Sequence, residues 1–313
     1  MPVSPNSALV AFCLLSPTVT ALGQGSLIHS VADLPATASF YRALGLPAKS
    51  PLPAPGAIPA IFSGLEGTKG ARFRSLTFEI PGEAFALELI EFTKVERGSA
   101  LARIQDAGAP RLVLSVRDVA VASATAQRAG GKVLTPGGAI VVFGTAATGI
   151  AVRDPDGLIL ELVQFNPLPK TTAPSGSNII GGRLSISVGD LDKTVPFYRD
   201  ALGFEVKPAN AFGPSPNVMQ LFDAQGGQWR YAMANLPGES TNWELAEFKD
   251  LPKKRFAPRI SDPGAGAFSL FVRDLPAVVQ KVKSGGGVVV SADANTILVR
   301  DPDGVLLRLI EKK

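Results

Sequence analysis

The chain predicts an α+β protein built from four strand–helix–strand–strand–strand modules, and three repeats carry that expectation. The stretch from Val152 to Leu162, centred on Asp154-Pro155-Asp156-Gly157, returns from Val299 to Leu309 around Asp301-Pro302-Asp303-Gly304. A short alternating strand ending in Val-x-Asp occurs at Val31-Ala32-Asp33, Val116-Arg117-Asp118, Val188-Gly189-Asp190 and Val272-Arg273-Asp274. Longer copies relate the two halves. Phe40-Tyr41-Arg42 matches Phe197-Tyr198-Arg199, with one extra residue downstream in the second copy. Ile80-Pro81-Gly82-Glu83 matches Leu236-Pro237-Gly238-Glu239, and Arg103 to Ala109 matches Arg259 to Ala265 at an offset of 156 residues. A single doubly wound parallel sheet would not repeat in this way.

Each element has a local cause. The Asp of Val-x-Asp stands where a helix N-cap belongs, accepting hydrogen bonds from the first free amides. Apolar residues then recur at helical spacing, as in Leu191, Val195 and Tyr198, or Leu275, Val278 and Val282. Gly45, Gly130-Gly131, Gly203 and Gly285-Gly286 close the helices. Asp-Pro-Asp-Gly between apolar runs is a hairpin turn: proline sets φ, the aspartates bond back to local amides, and glycine accepts φ > 0. Phe40-Tyr41 and Phe197-Tyr198 are expected to pack in the core with a tyrosine hydroxyl at the surface. The domains are read as residues 25–165 and 181–313, joined by a Pro-, Ser- and Thr-rich linker at 166–180.

Residues 1–23 carry no charged side chain, and Ala8 to Leu15 form an apolar run too short to span a bilayer. The run reads as the h-region of a secretory signal peptide, with Ala21 and Gly23 as the small pair before the cut. Export to the periplasm or the exterior is the expectation, with a cytoplasmic location as the alternative. Cleavage would remove Cys13, the single cysteine, leaving neither a disulfide nor a thiolate metal site.

The 31 basic and 27 acidic residues are spread along the chain, and Lys253-Lys254-Arg255 is the one basic cluster. Without interleaved aromatic residues that run is a solvated loop, and nucleic acid is not an expected partner. No Gly-rich phosphate loop opens a helix, so no nucleotide cofactor is implied. The Asp-Pro-Asp-Gly turns lack the remaining ligands of a calcium loop.

Val-x-Asp-Leu, Phe-Tyr-Arg, Leu-Gly and then Asp-Pro-Asp-Gly with Leu-Glu-Leu in combination resemble the vicinal-oxygen-chelate superfamily. That superfamily groups glyoxalase I, extradiol dioxygenases, and fosfomycin and bleomycin resistance proteins. The resemblance implies two curled eight-stranded mixed sheets with helices outside, each sheet enclosing a cavity between two modules. It also implies metal ligands on the first and last strand of each module. The first-strand positions, seven residues before each Asp, hold Ser26, Arg111, Arg183 and Ala267. The last-strand positions hold Glu88, Glu161, Glu244 and Arg308. No pairing of modules supplies the usual His/Glu set, and a guanidinium is a competing cation that keeps its proton. The single histidine, His29, alternates onto the opposite strand face, toward the helices, so it is expected to be packed and not ligating. No metal and no cofactor are therefore expected.

Glu88, Glu161, Glu244, Arg111, Arg183 and Arg308 are the candidate ligand-binding residues. Buried carboxylates and guanidiniums are costly alone and satisfy each other as forks. The result is either a salt-bridge filling of the old metal site or a polar cavity floor able to bind a carboxylate or carbonyl. Inward Ser30, Ser115, Ser185, Ser187 and Ser269 are expected to leave room above the sheets. Crossed pairing, module 1 with 4 and module 2 with 3, balances the charges. Chain economy favours pairing within halves, and that is the expected arrangement. The functional expectation is capture of a small organic molecule between modules. The alternatives are an enzyme of the superfamily, metal-dependent or using a cavity Glu as base, and a structural protein with no ligand.

Overall fold

The computed structural model describes residues 25–236 and 241–312. The expected signal segment, with Cys13, lies outside the described residues, as does Glu239. Among the described residues no helix is long and apolar enough to cross a membrane.

All four modules are present. Module 1 comprises β1 (Ser26–Ser30), α1 (Leu34–Ala43), β2 (Gly56–Ala57), α2 (Ala60–Ser63), β3 (Arg72–Glu79) and β4 (Ala86–Thr93). Module 2 comprises β5 (Pro110–Val116), α3 (Val119–Arg128), β6 (Lys132–Val133), β7 (Val141–Phe143), β8 (Ala147–Arg153) and β9 (Ile159–Phe165). Module 3 comprises β10 (Ile179–Val188), α4 (Leu191–Pro196), β11 (Glu205–Val206), β12 (Gly213–Pro214), α5 (Pro216–Leu221), β13 (Gln228–Asn235) and β14 (Trp243–Lys249). Module 4 comprises β15 (Gly266–Val272), α6 (Leu275–Ser284), β16 (Val288–Asp293), β17 (Thr296–Arg300) and β18 (Leu306–Glu311).

Local chemistry explains the long helices. Asp33, Asp118 and Asp274 each accept from the backbone amide three residues on, at 2.9–3.1 Å, and Asp190 accepts from Asp192 N. The extra residue of the second Phe-Tyr-Arg copy is absorbed as a π-helical turn over Phe197–Ala201, which continues α4. In the turns, Asp154 Oδ1 accepts from the amides of Asp156, Gly157 and Leu158.

The module pairing differs from the expected one. One sheet runs β16-β17-β18-β15-β1-β4-β3-β2 and joins module 1 to module 4. The other has ten strands, follows β11-β13-β14-β10-β5-β9-β8-β6, and joins module 2 to module 3. The first strands meet antiparallel at each seam, β1 against β15 and β5 against β10. Modules of one half do pack together, but back to back. Leu27, Phe40, Leu114, Leu160, Leu184, Tyr198, Phe268 and Leu307 belong to one core between the two sheets. The turn of module 2 clasps module 1, where Asp156 accepts from Ala32 N and Thr37 Oγ1; Asp303 does the same at Gly189 N and Thr194 Oγ1. Chain economy is met by these contacts, and the sheets are left free to cross.

Two short helices depart from the expected outer layer. Helix α2 packs against β16 and β17 of module 4, and α5 against β7 and β8 of module 2. Ile61 and Phe62 join Ile28, Phe73, Phe92 and Leu298 in one cluster on the concave side, and Val218, Met219 and Phe222 join Val141, Trp229 and Phe248 in the other. Proline at the start of α5 pre-sets its first turn.

Candidate functional site

The strand alternation brings the six candidate residues together in two groups, one on each concave face. In the module 1/4 sheet, Ile28 stands beside Glu88 and Ala267, and Ser269 beside Arg308. Arg308 forks onto both oxygens of Glu88, and its Nε donates to Ser269 Oγ at 3.1 Å. The two charged side chains keep 16% and 13% of their surface in contact with solvent.

The module 2/3 group is larger, with Arg111 and Glu244 sealed and with Arg183 and Glu161 partly exposed. Arg111 ion-pairs with Glu244 and lies 3.3 Å from Glu161 through Nε. Arg183 reaches the other Glu244 oxygen at 3.0 Å, and Ser185 Oγ both accepts from Arg111 and donates to Glu244. The Arg111 guanidinium sits 5.0 Å from the ring centroid of Phe222, at the end of α5. Arg111 and Glu244 side chains are only 2% and 3% exposed. Burial pushes the Glu161 carboxyl up; Arg111 and Arg183 pull it down but do not prevail, and Glu244 adds to the rise. Burial acts on Glu244 in the same sense, yet Arg183 and Arg111 hold it below its ordinary value.

The charges therefore balance one to one on one face and two to two on the other. Within-half pairing would have left an unmatched buried charge on each side, a costly arrangement in a low-dielectric interior.

A divalent cation needs three or four converging lone-pair donors. The 1/4 face offers Glu88 already forked onto a guanidinium, the Ser26 hydroxyl, and Ala267, which has no donor. The 2/3 face offers two carboxylates shared between two guanidiniums. Neither donor set fits the metal that the superfamily resemblance implies. Among the described residues no three His, Cys, Asp or Glu side chains are placed to hold an ion.

The inward serines are partners as well as spacers. Ser30 donates to Ile260 O and Ser187 to Ile104 O, closing each seam in the same way. His29 faces the helical layer, as its strand alternation predicts, and is fully buried. Its Nε2 lies 2.9 Å from Asp154 Oδ2, which also accepts from the Tyr41 hydroxyl at 2.8 Å. Tyr198 likewise reaches Asp301, at 3.0 Å. The expected surface hydroxyl is thus buried in both copies, because each turn aspartate needs a donor. Sequence reasoning missed the two concave-side helices. The Ser215-Pro216 start before Val218, Met219, Leu221 and Phe222 was the available signal for α5.

Comparison with known proteins agrees with this fold. The Glyoxalase/Bleomycin resistance protein/Dioxygenase superfamily profile matches residues 182–309. A protein of Synechocystis named "Probable lactoylglutathione lyase" is 30% identical over 133 residues, covering 40% of this chain and 90% of that protein. A protein of Vibrio cholerae with the same name is 24% identical over 135 residues, covering 41% of this chain and 87% of its own length. Glyoxalase I from Zea mays superposes with a TM-score of 0.58 at 18% identity, over 91% of each chain, which is a likeness of fold. With four modules, crossed sheets and these relatives, the chain belongs to the glyoxalase/bleomycin resistance/dioxygenase superfamily.

Proposed function

We propose that the protein binds a small organic molecule, without a metal, on the concave face shared by modules 1 and 4. The observation that carries this reading is the contrast in access. Both members of the Glu88–Arg308 pair remain in contact with solvent, at 13% and 16%, whereas on the 2/3 face the Arg111–Glu244 pair is sealed at 3% or less and solvent is reached only through Arg183 and Glu161, at 24% and 11%. Arg308 offers a planar donor fork suited to a carboxylate or carbonyl. Phe62, Phe73, Phe92 and Leu298 form an apolar cluster on the same concave side, packed together with Ile61 of α2. The 2/3 face is its structural counterpart, covered by α5 as the 1/4 face is by α2.

The alternative is an enzyme in which Glu88 acts as a base, and the names of the two sequence relatives motivate an assay for lactoylglutathione lyase activity. Against it stands the fork to Arg308, which occupies both carboxylate oxygens of Glu88. The deciding experiment is calorimetric titration with small carboxylates such as benzoate. Binding that Arg308→Met weakens at least tenfold, and Arg111→Met leaves within twofold, supports the reading. Benzoate binding indifferent to Arg308→Met sinks it. The uncharged residues 1–23 support export, which N-terminal sequencing of the mature protein checks.

A further inference from the structure

The repeated Ile-Pro-Gly-Glu motif takes no part in either concave site, yet its first copy sits at the edge of a sizeable cavity. Glu83 N donates to Ile80 O at 2.9 Å, closing a turn in which Pro81 fixes φ and Gly82 adopts φ 86°. A side chain at Gly82 would run into Thr171 Oγ1 and Ile180 O, 2.6 and 2.7 Å from its Cβ. The linker therefore packs down on this turn. Between them lies a groove of about 1090 Å³, walled by the end of α1, by α3 and by linker residues Pro174 to Asn178. Val121, Pro47 and Ala84 offer it apolar surface, backed by the buried Leu46, Ile80 and Phe85.

Glu83 lines this groove and is largely buried. Among the described residues its carboxylate has a single partner, the Gly182 amide at 3.0 Å, and no cation forms an ion pair with it. The other charged groups of the groove are Arg42, Lys49 and Glu79, all on exposed positions; α3 and the linker add none. Arg42 lies over the Phe78 ring instead, 5.9 Å from its centroid. A desolvated carboxylate without a counter-charge, lining a cavity, is a group awaiting a donor.

We propose that this groove is a second ligand site, for a small molecule joining an ammonium group to an apolar body, with Glu83 as its counter-ion. Burial raises the free Glu83 carboxyl to about 7, opposed in part by the Gly182 amide. An ammonium ligand therefore gains its partner as pH rises through neutrality.

The test uses the full chain and three probes: benzylamine, its neutral counterpart benzyl alcohol, and benzoate, each followed by calorimetry or by chemical-shift titration. At pH 8 benzylamine binds at least tenfold tighter than benzyl alcohol, and its affinity falls about tenfold at pH 6 as Glu83 takes up a proton. Glu83→Gln erases the preference for the amine. Val121→Trp, from the exposed side of α3, weakens both neutral and cationic probes by filling the groove. Arg308→Met leaves benzylamine unaffected while it weakens benzoate, so the two sites stand or fall separately. Equal affinity for benzylamine and benzyl alcohol at pH 8 overturns the proposal. So does amine binding that ignores both Glu83→Gln and Val121→Trp.

Discussion

His29 Nε2 lies 2.9 Å from Asp154 Oδ2, with neither side chain touching solvent, and the matching turn aspartate, Asp301, has no histidine because Ile186 stands at the corresponding strand position. Two copies of one turn thus solve the same burial differently. Burial alone would lower His29, but the Asp154 charge and hydrogen bond, helped by Asp156 and the Ala265 backbone, raise it above 6.5. Burial would raise Asp154, but His29 and then the Tyr41 hydroxyl and local amides hold it below 3.8.

Replacing His29 by Ile should convert the first copy into the second. His29, raised when folded, stabilises fully below its unfolded value and loses that contribution as pH rises through its folded one. Asp154, lowered, stabilises above its unfolded value and loses that as pH falls. The pair therefore acts in a window of roughly pH 4 to 7, and His29→Ile should cost ~3–5 kcal/mol there, as removing one partner of a buried pair does. Urea unfolding across pH reads this out; a uniform loss at every pH would show that only packing changed.

Asp301 gives the opposite slope. Burial, then the nearby Asp303 charge, lift it to about 7 despite bonds from Val305 N and the Tyr198 hydroxyl. A raised acid stabilises below its unfolded value and loses that contribution as pH climbs through the folded one. Stability should therefore fall between about pH 4 and 8, by up to ~4 kcal/mol for a three-unit shift in so buried a group. Asp301→Asn should flatten most of that fall. The residual slope is shared by Glu83, Glu161 and Asp156, whose carboxyls burial shifts in the same sense.

The two arginine faces should respond unequally to truncation. Arg111→Met takes from the sealed Glu244 one of its two guanidiniums and from Glu161 its ion-pair partner, and should cost ~3–5 kcal/mol. Arg308→Met leaves Glu88 within reach of water and should cost ~1 kcal/mol. Similar losses from both would mean that the two faces are equally dry.

Zinc, nickel, manganese or iron should leave the unfolding midpoint nearly unchanged. Ala267→His with Arg308→Glu replaces the competing cation by two donors beside Glu88 and Ser26. That double variant should gain a zinc-dependent rise in midpoint, because a ligand of the native state stabilises it by mass action. A comparable rise in the unaltered protein would refute the argument from its donor set.

Residues 25–165 expressed alone should not unfold cooperatively, and adding 181–313 should restore a transition. Alone, that fragment holds β1 and β5 without their seam partners β15 and β10. Unpaired strand edges and unbalanced Glu and Arg would both be exposed. A stable monomeric fragment would contradict this.

How much of this was legible in the residues depends on range. The Asp caps, the Asp-Pro-Asp-Gly turns and the inward Glu and Arg follow from local periodicity, and each stands where spacing puts it. Charge balance at Glu88, Glu161, Glu244, Arg111, Arg183 and Arg308 already pointed to the crossed sheets, and it prevailed over chain economy. That rule governs which modules touch, and it is satisfied by Asp156 clasping Thr37 without any shared sheet. What could not be read was long-range contact. Nothing near Tyr41 in sequence announces Asp154, and nothing in Ile61-Phe62 says that so short a helix would cover a face of module 4.

The crossed sheets also free the protein from a symmetry constraint. Two separate copies of a two-module chain, exchanging modules about a twofold axis, would have to build both concave faces from the same residues. Any substitution would appear twice. With both halves on one chain, each face can drift alone: Arg308 answers Glu88 on one side, while the equivalent position on the other is Glu161 beside Arg111 and Arg183. One face can harden into ballast while the other stays open to exploration, a division of labour that a homodimer of the same fold could not reach by mutation.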